Sequence, residues 1–284
     1  MAKAKATVHG AISLVNAIAT QKGATLGIEL KVDAIIETSS GRGISIQSEN
    51  KNLSSRLINK TIEKILSKKE LEENKIEVTL NSEIPTGYGL KSSSAISSAV
   101  ALACSKIFRP KLTDKQILLA GVEASIESKV SITGAYDDAC SCYYGGFNVT
   151  DNFKKNRISS EKAPVNLIAV IFIPKNRKRG NLKNLKILST VFENAWELAK
   201  KGDYWNAMNM NGLATAATLN SDPKIIINLL EKGAYGASVS GNGPAIAAVT
   251  KKENESNIKK VFSTLEGNVI VSKINNKKAE VYEL

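Results

Sequence analysis

The sequence predicts an α+β protein with two lobes, and three observations carry that prediction. Residues 5–36 alternate between β-prone and small residues, so the chain opens on strands. Helical spacing then takes over, first in residues 53–66 and again around Ile117, Leu118 and Leu119. After a polar stretch, a continuous apolar run over residues 167–173 ends at Pro174 and opens a second mixed series of helices and strands. Strands first and helices later within one half suit segregated layers better than a doubly wound parallel sheet.

The elements follow in order. Within residues 5–36, Gln21-Lys22-Gly23 marks a turn between strands. Ser39-Ser40-Gly41-Arg42-Gly43 is a hairpin signal, with Ile44-Ser45-Ile46 returning. Apolar residues at 53, 57, 58, 62, 65 and 66 share one helical face. Residues 75–80 alternate as a strand, and a helix runs from the low 90s to about Phe108. Thr113 with Gln116 is a capping box that starts a helix reaching about Ser128. Residues 134–146 are turn-rich, and 147–150 form a short strand. Residues 151–162 are charged and aperiodic and hold the boundary between lobes 1–155 and 156–284. Beyond the strand at 167–173, helices are expected at 185–200, 203–219, 222–231 and 252–265. Strands are expected at 235–240, 245–250, 268–271 and 279–282.

Composition narrows the function classes. With 284 residues, 43% hydrophobic and 23% charged, the chain can bury a sizeable core. It has no apolar run of the ~20 residues a bilayer span needs, and its first residues lack a signal-peptide core, so a cytoplasmic protein without a membrane partner is expected. Three cysteines without a CxxC pair argue against a disulfide framework and structural zinc, and Cys140 and Cys142 are expected as small buried residues. The single histidine, His9, reads as a strand residue. A net charge of +12 fits either a nucleic-acid binder or an enzyme for anionic substrates. The lysines are scattered, only 5% of residues are aromatic and no RNA-binding pattern appears, so the charge reads as solvated surface lysines and no nucleic-acid partner is expected.

Three segments carry the chemistry. In IPTGYGLKSSSAISSAV, residues 84–100, a strand leads into glycines and then a helix start. Gly87 and Gly89 let backbone approach a ligand, and amides at a helix N-terminus favour anions. Lys91 adds a charge, while Ser92, Ser93 and Ser94 offer hydroxyls to phosphate oxygens or Mg²⁺. No GxxxxGK[ST] pattern is present, so this is not a Walker A loop. In residues 233–249, Ser240-Gly241-Asn242-Gly243-Pro244 forms a second glycine turn between strand-like runs. In ITGAYDDACSCYYGGF, residues 132–147, Asp137 and Asp138 stand within a glycine-bounded loop. Such a carboxylate can orient an attacking hydroxyl and take its proton, or hold Mg²⁺.

Pro85-Thr86-Gly87-Tyr88-Gly89-Leu90-Lys91-Ser92-Ser93-Ser94-Ala95 resembles the P-x-x-x-G-L-x-S-S-[SA]-A signature of the GHMP kinase superfamily. Residues 238–245 resemble its C-terminal glycine motif, one or two glycines shorter, and Val15-Asn16-Ala17 sits where that family has its substrate-side motif. Within the superfamily, residues 10–28 and the run ending in Gly145-Gly146 resemble the archaeal-type shikimate kinases. The resemblance implies a two-lobed GHMP kinase fold: an N-terminal lobe with a left-handed β-α-β unit and a ferredoxin-like C-terminal lobe. It implies ATP and Mg²⁺ in the cleft, with residues 85–95, Gly241, Asn242 and Gly243 around the nucleotide and Ser93 or Ser94 on the metal. Asp137 or Asp138 would serve catalysis together with Lys91. Asn16, Arg177 and Arg179 would face the substrate, shikimate, whose carboxylate a guanidinium can grip with two hydrogen bonds. Homoserine or mevalonate as acceptor, and a basic RNA-binding protein on the same lobe fold, remain alternatives at this point.

Overall fold

The structure, a computed structural model, describes residues 1–49, 53–176 and 180–284. Two long strands organise the first half. β1 (Ala2–Val15) and β2 (Lys22–Ser40) pair antiparallel from Ala2 opposite Thr38 down to Val15 opposite Ala24. β1 alternates between buried and half-buried residues over its first part and is buried throughout over its last six, Gly10 to Val15. That change marks where the second half of the chain covers it.

The expected hairpin at residues 39–46 does not form. β3 (Gly43–Ser48) pairs in parallel with β4 (Asn74–Ser82), and β4 pairs antiparallel with β2, so β4 lies between β2 and β3. The chain leaves β3 and crosses through α1 (Ser55–Ile65) and α2 (Lys68–Glu73) before returning as β4, a β-α-β unit. The glycines at 41 and 43 turn the chain, both with positive φ, but the partner strand comes from later in the sequence.

α3 (Ser92–Phe108) packs on β1 and β2 and is flanked by α1, α4 (Asp114–Glu127) and α5 (Tyr136–Tyr144). Its alanines and serines explain that position. A helix enclosed on nearly every side leaves room only for small side chains, and its residues from Ser94 to Ser105 are all buried. The Thr113–Gln116 capping box forms as the sequence predicts. Residues 134–146, expected as turns, instead hold α5, between Ala135 at φ 52° and Gly145 at φ 70°. The polar stretch before residue 162 also contains a strand: β5 (Phe147–Asp151) pairs with β2 and with β6 (Asn156–Glu161).

The second sheet is antiparallel, in the order β10-β7-β9-β8. It comprises β7 (Leu167–Pro174), β8 (Gly236–Val239), β9 (Ile246–Lys251) and β10 (Gly267–Lys273). Helices α6 (Ser189–Lys200), α7 (Tyr204–Thr218) and α8 (Pro223–Glu231) connect β7 to β8, and α9 (Glu255–Phe262) connects β9 to β10. This strand order and helix placement is the ferredoxin-like arrangement. β7 explains how the halves join. Leu167, Ala169, Ile171 and Ile173 face the core shared with the first sheet. Ile168, Val170 and Phe172 face a separate core under α8 and α9. A strand buried on both faces reads as a continuous apolar run. The last strand, β11 (Glu280–Glu283), returns to pair with β1, so β6 and β11 belong to the first sheet although they follow residue 155.

Candidate active site

One cleft of about 300 Å³ gathers the chemistry. Its lining includes Gly87, Gly89, Lys91, Ser92, Ser93 and Ser94 from the first glycine segment, and Gly241 and Asn242 from the second. Asp137 and Asp138 line it from α5, and Ser13 and Asn16 from the end of β1. Among the described residues, no helix is long and apolar enough to cross a membrane.

The two glycine segments touch. Gly89, at φ 87°, lies so close to Ser240 that a Cβ there would sit 1.9 Å from the Ser240 carbonyl oxygen. Ser240 Oγ donates to the Gly89 carbonyl at 2.8 Å, and the Ala245 amide donates to the Tyr88 carbonyl at 3.2 Å. Ser13 ties both segments to β1. Its hydroxyl accepts from the Gly241 amide at 2.9 Å and from Lys91 Nζ at 2.7 Å. Asn16 Nδ2 donates to the Gly241 carbonyl at 2.7 Å, and the Asn16 amide donates to Asn211 Oδ1 at 2.8 Å. Asn211 is fully buried on α7, and its Nδ2 donates to Ser238 Oγ at 2.8 Å.

Lys91 stands at the start of α3 in the left-handed conformation, φ 66° and ψ 22°, and its side chain makes no capping bond. The amides of the first turn are therefore not capped by this residue, which leaves the helix end suited to an anion. The ammonium group is almost wholly buried and ion-pairs with Asp138 Oδ1 at 2.9 Å.

The carboxylates occupy the first turn of α5, where the helix dipole favours negative charge. They differ in surroundings. Asp138 retains some exposure toward the cleft beside Lys91. Asp137 is 4% exposed, and its Oδ1 accepts from Asn152 Nδ2 at 2.6 Å. Burial raises the Asp137 carboxyl above its ordinary value, the Asp138 charge raises it further, and Lys91 and Asn152 oppose both. Cys140 and Cys142 are buried on the same helix, and burial pushes the Cys140 thiol up to about 12, so neither is a poised nucleophile.

Comparison with known proteins is consistent from end to end. The profile of the GHMP kinases N-terminal domain matches residues 56–146, and that of the GHMP kinases C-terminal domain matches residues 185–266. A shikimate kinase of Methanosarcina acetivorans is 38% identical over 282 residues, covering 96% of this chain and 95% of the relative. The chain belongs to the GHMP kinase family. A shikimate kinase of Pyrococcus furiosus is 35% identical, over 84% of this chain and 89% of its own. Among solved structures, homoserine kinase from Cytophaga hutchinsonii superposes with a TM-score of 0.78 at 21% identity, covering 99% of this chain and 97% of that one. Mevalonate kinase of Methanococcus jannaschii gives 0.76 at 16% identity, covering 96% and 98%. At those identities the two structures establish the GHMP kinase fold.

Of the residues singled out from sequence, Asn16, Gly87, Gly89, Lys91, Ser92, Ser93, Ser94, Asp137, Asp138, Gly241 and Asn242 meet in the cleft. Pro85, Thr86, Tyr88 and Gly243 belong to the same loops without lining it. Leu90 and Ala95 turn into the core instead, as apolar side chains flanking a polar loop do. Arg177 and Arg179 lie outside the described residues. Sequence reasoning missed Ser13, Ser125, Ser131 and Thr133 on the cleft wall, and Asn152 and Asn211 behind it. Ser13 follows Gly10 in the segment already flagged for its likeness, so a signal existed for it. Asn152 sits in a polar turn that offers none.

Mg²⁺ takes hard oxygen ligands and keeps waters and phosphate oxygens in place of an all-protein cage. The described residues contain no cluster of three or more His, Cys, Asp or Glu suited to a metal. The cleft offers the hydroxyls of Ser92, Ser93 and Ser94, hard oxygen donors that fit Mg²⁺ arriving with a nucleotide.

Proposed function

We propose that this GHMP kinase transfers the γ-phosphoryl group of ATP to the 3-hydroxyl of shikimate. The observation that carries the reading is the convergence of both glycine segments, Lys91 and the Asp137–Asp138 pair on one cleft. The acceptor is inferred from relatives named shikimate kinase that align over nearly the whole chain.

In this reading, amides of Gly87, Gly89 and the first turn of α3 hold the triphosphate, with Gly241 and Asn242 closing the opposite side. Ser93 and Ser94 would hold Mg²⁺, which neutralises phosphate charge. The shikimate 3-oxygen attacks the γ-phosphorus in line, the bond to the β,γ-bridging oxygen breaks, and ADP leaves. The hydroxyl proton passes to Asp138, which lines the cleft and ion-pairs with Lys91. Asp137, beneath it, positions and tunes that group. Positioning and charge neutralisation supply most of the catalysis in phosphoryl transfer. Arg177 and Arg179 are the proposed grip on the shikimate carboxylate. Among the described cleft-lining residues Lys91 is the one cation, and it already serves Asp138. Leu182, just beyond the arginine segment, lines the cleft.

A coupled ADP-release assay over shikimate, homoserine and mevalonate tests the reading. Turnover with shikimate, with ³¹P NMR placing phosphate on the 3-oxygen, is the expected result. Turnover with one of the other alcohols and none with shikimate overturns the acceptor, and no turnover with any of the three overturns the function.

A further inference from the structure

We infer that Asn152 is a positioning residue for the phosphoryl transfer: together with the bare backbone of Gly23 it builds a slot that fixes the Asp137 carboxylate beneath Asp138. The kinetic part of this inference rests on the function proposed above.

The orientation of the Asn152 amide follows from its partners. Its Oδ1 accepts from the Asp137 backbone N–H at 3.0 Å and from Thr150 Oγ1 at 2.8 Å. A backbone N–H can only donate, so the oxygen must point that way and Nδ2 must face the carboxylate, 2.6 Å from Oδ1. Asn152 is itself held. It is 4% exposed, and its own amide donates to the Gln21 carbonyl at 2.8 Å. Trp196 Nε1 on α6 donates to the Thr150 carbonyl at 3.0 Å, which ties the slot to the second half of the chain.

Gly23 forms the other wall. A Cβ at this position would lie 2.4 Å from Asp137 Oδ2, so β2 admits the carboxylate only because residue 23 has no side chain. Thr25, two residues on and on the same face, donates to the Asp137 carbonyl at 2.9 Å. The charged groups that act on Asp137 are Asp138 from its own helix and Lys91 from the start of α3. β2 presents Gly23 and Thr25, and the turn after β5 presents Asn152, none of them charged.

The slot has a chemical consequence. Two adjacent carboxylates face one ammonium, and burial favours a proton on the enclosed one. A proton on Asp137 removes a negative charge beside Asp138 and so changes the field at the group proposed to take the hydroxyl proton. The donor on Asn152 opposes that protonation, because a carboxylate accepts its hydrogen bond better than a carboxylic acid does. Asn152 therefore acts on the reaction through Asp137 without touching the reacting atoms.

The test replaces Asn152 by Leu and by Ala in the full chain and follows the Asp137 carboxyl by ¹³C NMR, its resonance assigned with Asp137→Asn. The Asp137 midpoint should rise by about one pH unit in both variants. The acid limb of the kcat profile should move the same way, so the loss is larger at about pH 6 than at about pH 8. Asn152→Leu should cost less in an Asp137→Asn background than in wild type. Thr150→Val, which keeps Asn152 but removes one donor that orients it, should shift the midpoint less in the same direction and serves if the Asn152 variants do not fold. An unchanged or lowered midpoint in folded variants overturns the inference, as does a loss of kcat equal at every pH. The titration needs no turnover, so an inactive wild type would sink the proposed function while the NMR result still decides whether Asn152 holds the Asp137 carboxylate.

Discussion

Lys91 adopts a backbone conformation that favours glycine and yet carries a long, nearly buried cation. Its contacts explain why: from that position the ammonium reaches both Ser13 and Asp138. Lys91→Met keeps the bulk and removes the charge. Its kcat should fall at least ~10²-fold, the scale on which losing a positioned charge at phosphoryl transfer is felt. The same change should steepen the dependence of stability on pH. A carboxyl whose folded value lies above its unfolded value contributes its full stability below the unfolded value, and that contribution is lost as pH rises through the folded value. Asp137 is such a group. Without Lys91 its folded value rises further, so the melting temperature of Lys91→Met should drop more steeply than wild type between about pH 5 and pH 8. Thermal melts across that range check it, and parallel curves would contradict the charge argument. The two aspartates can be ranked directly. Asp138→Asn should lower kcat by ~10² or more. Asp137→Asn should cost less and flatten the acid limb. The reverse ranking would move the proton-accepting role to Asp137. Sequence alone left that choice open for a geometric reason: neighbours on a helix point about 100° apart, and only the packing around α5 shows which one faces Lys91.

At the scale of elements, α2 depends on a few side chains. It spans only Lys68–Glu73 and buries none of its residues. Ser67 and Glu70 cap it reciprocally, and Glu70 also takes a bidentate hydrogen bond from Arg109 at the end of α3, at 2.6 and 2.5 Å. Arg109 first, and then the Ser67 bonds, hold the Glu70 carboxyl down at about 2. A depressed carboxyl contributes stability above its unfolded value and loses it as pH falls through its folded value. Glu70→Gln should therefore lower the unfolding free energy measured in urea near neutral pH by about 1 kcal/mol, the scale for a partly exposed cap and ion pair. The difference from wild type should shrink as pH falls from about 4.5 toward 2. A difference constant over that range would mean that packing, not charge, holds α2 in place. Elements written into local sequence were legible. The Thr113–Gln116 cap and the apolar run of β7 rest on neighbouring residues, and both form. The parallel β3–β4 pairing was not legible, because the partner of β3 arrives only after two helices. α5 was hidden by its own chemistry: its N-cap is Ala135 with no capping side chain, and glycines bracket it.

At the scale of the molecule, the two glycine segments are far apart in sequence and in contact in space. Their order along the chain was legible, but their contact was not, because no local pattern encodes it. Gly89 is where they meet, and it makes the contact testable. Gly89→Ala would force an alanine to hold φ 87° and place its methyl 1.9 Å from the Ser240 carbonyl oxygen. That oxygen belongs to backbone held on both sides: the Ser240 amide donates to the Ala245 carbonyl, and its hydroxyl bonds the Gly89 carbonyl and the Ser13 amide. Relief requires the two segments to part. A control separates the clash from the backbone strain. Gly202 has a nearly equal φ of 85°, but a Cβ there meets nothing within 4 Å. Gly202→Ala should therefore cost only the conformational term, about 1 kcal/mol, and leave KM for ATP unchanged. Gly89→Ala should cost about 3 kcal/mol or more in urea unfolding and, in protein that still folds, raise KM for ATP at least tenfold, because the loop proposed to hold the triphosphate is displaced. Equal effects from the two substitutions would show that φ alone matters at residue 89 and that the halves do not depend on this contact to form the cleft.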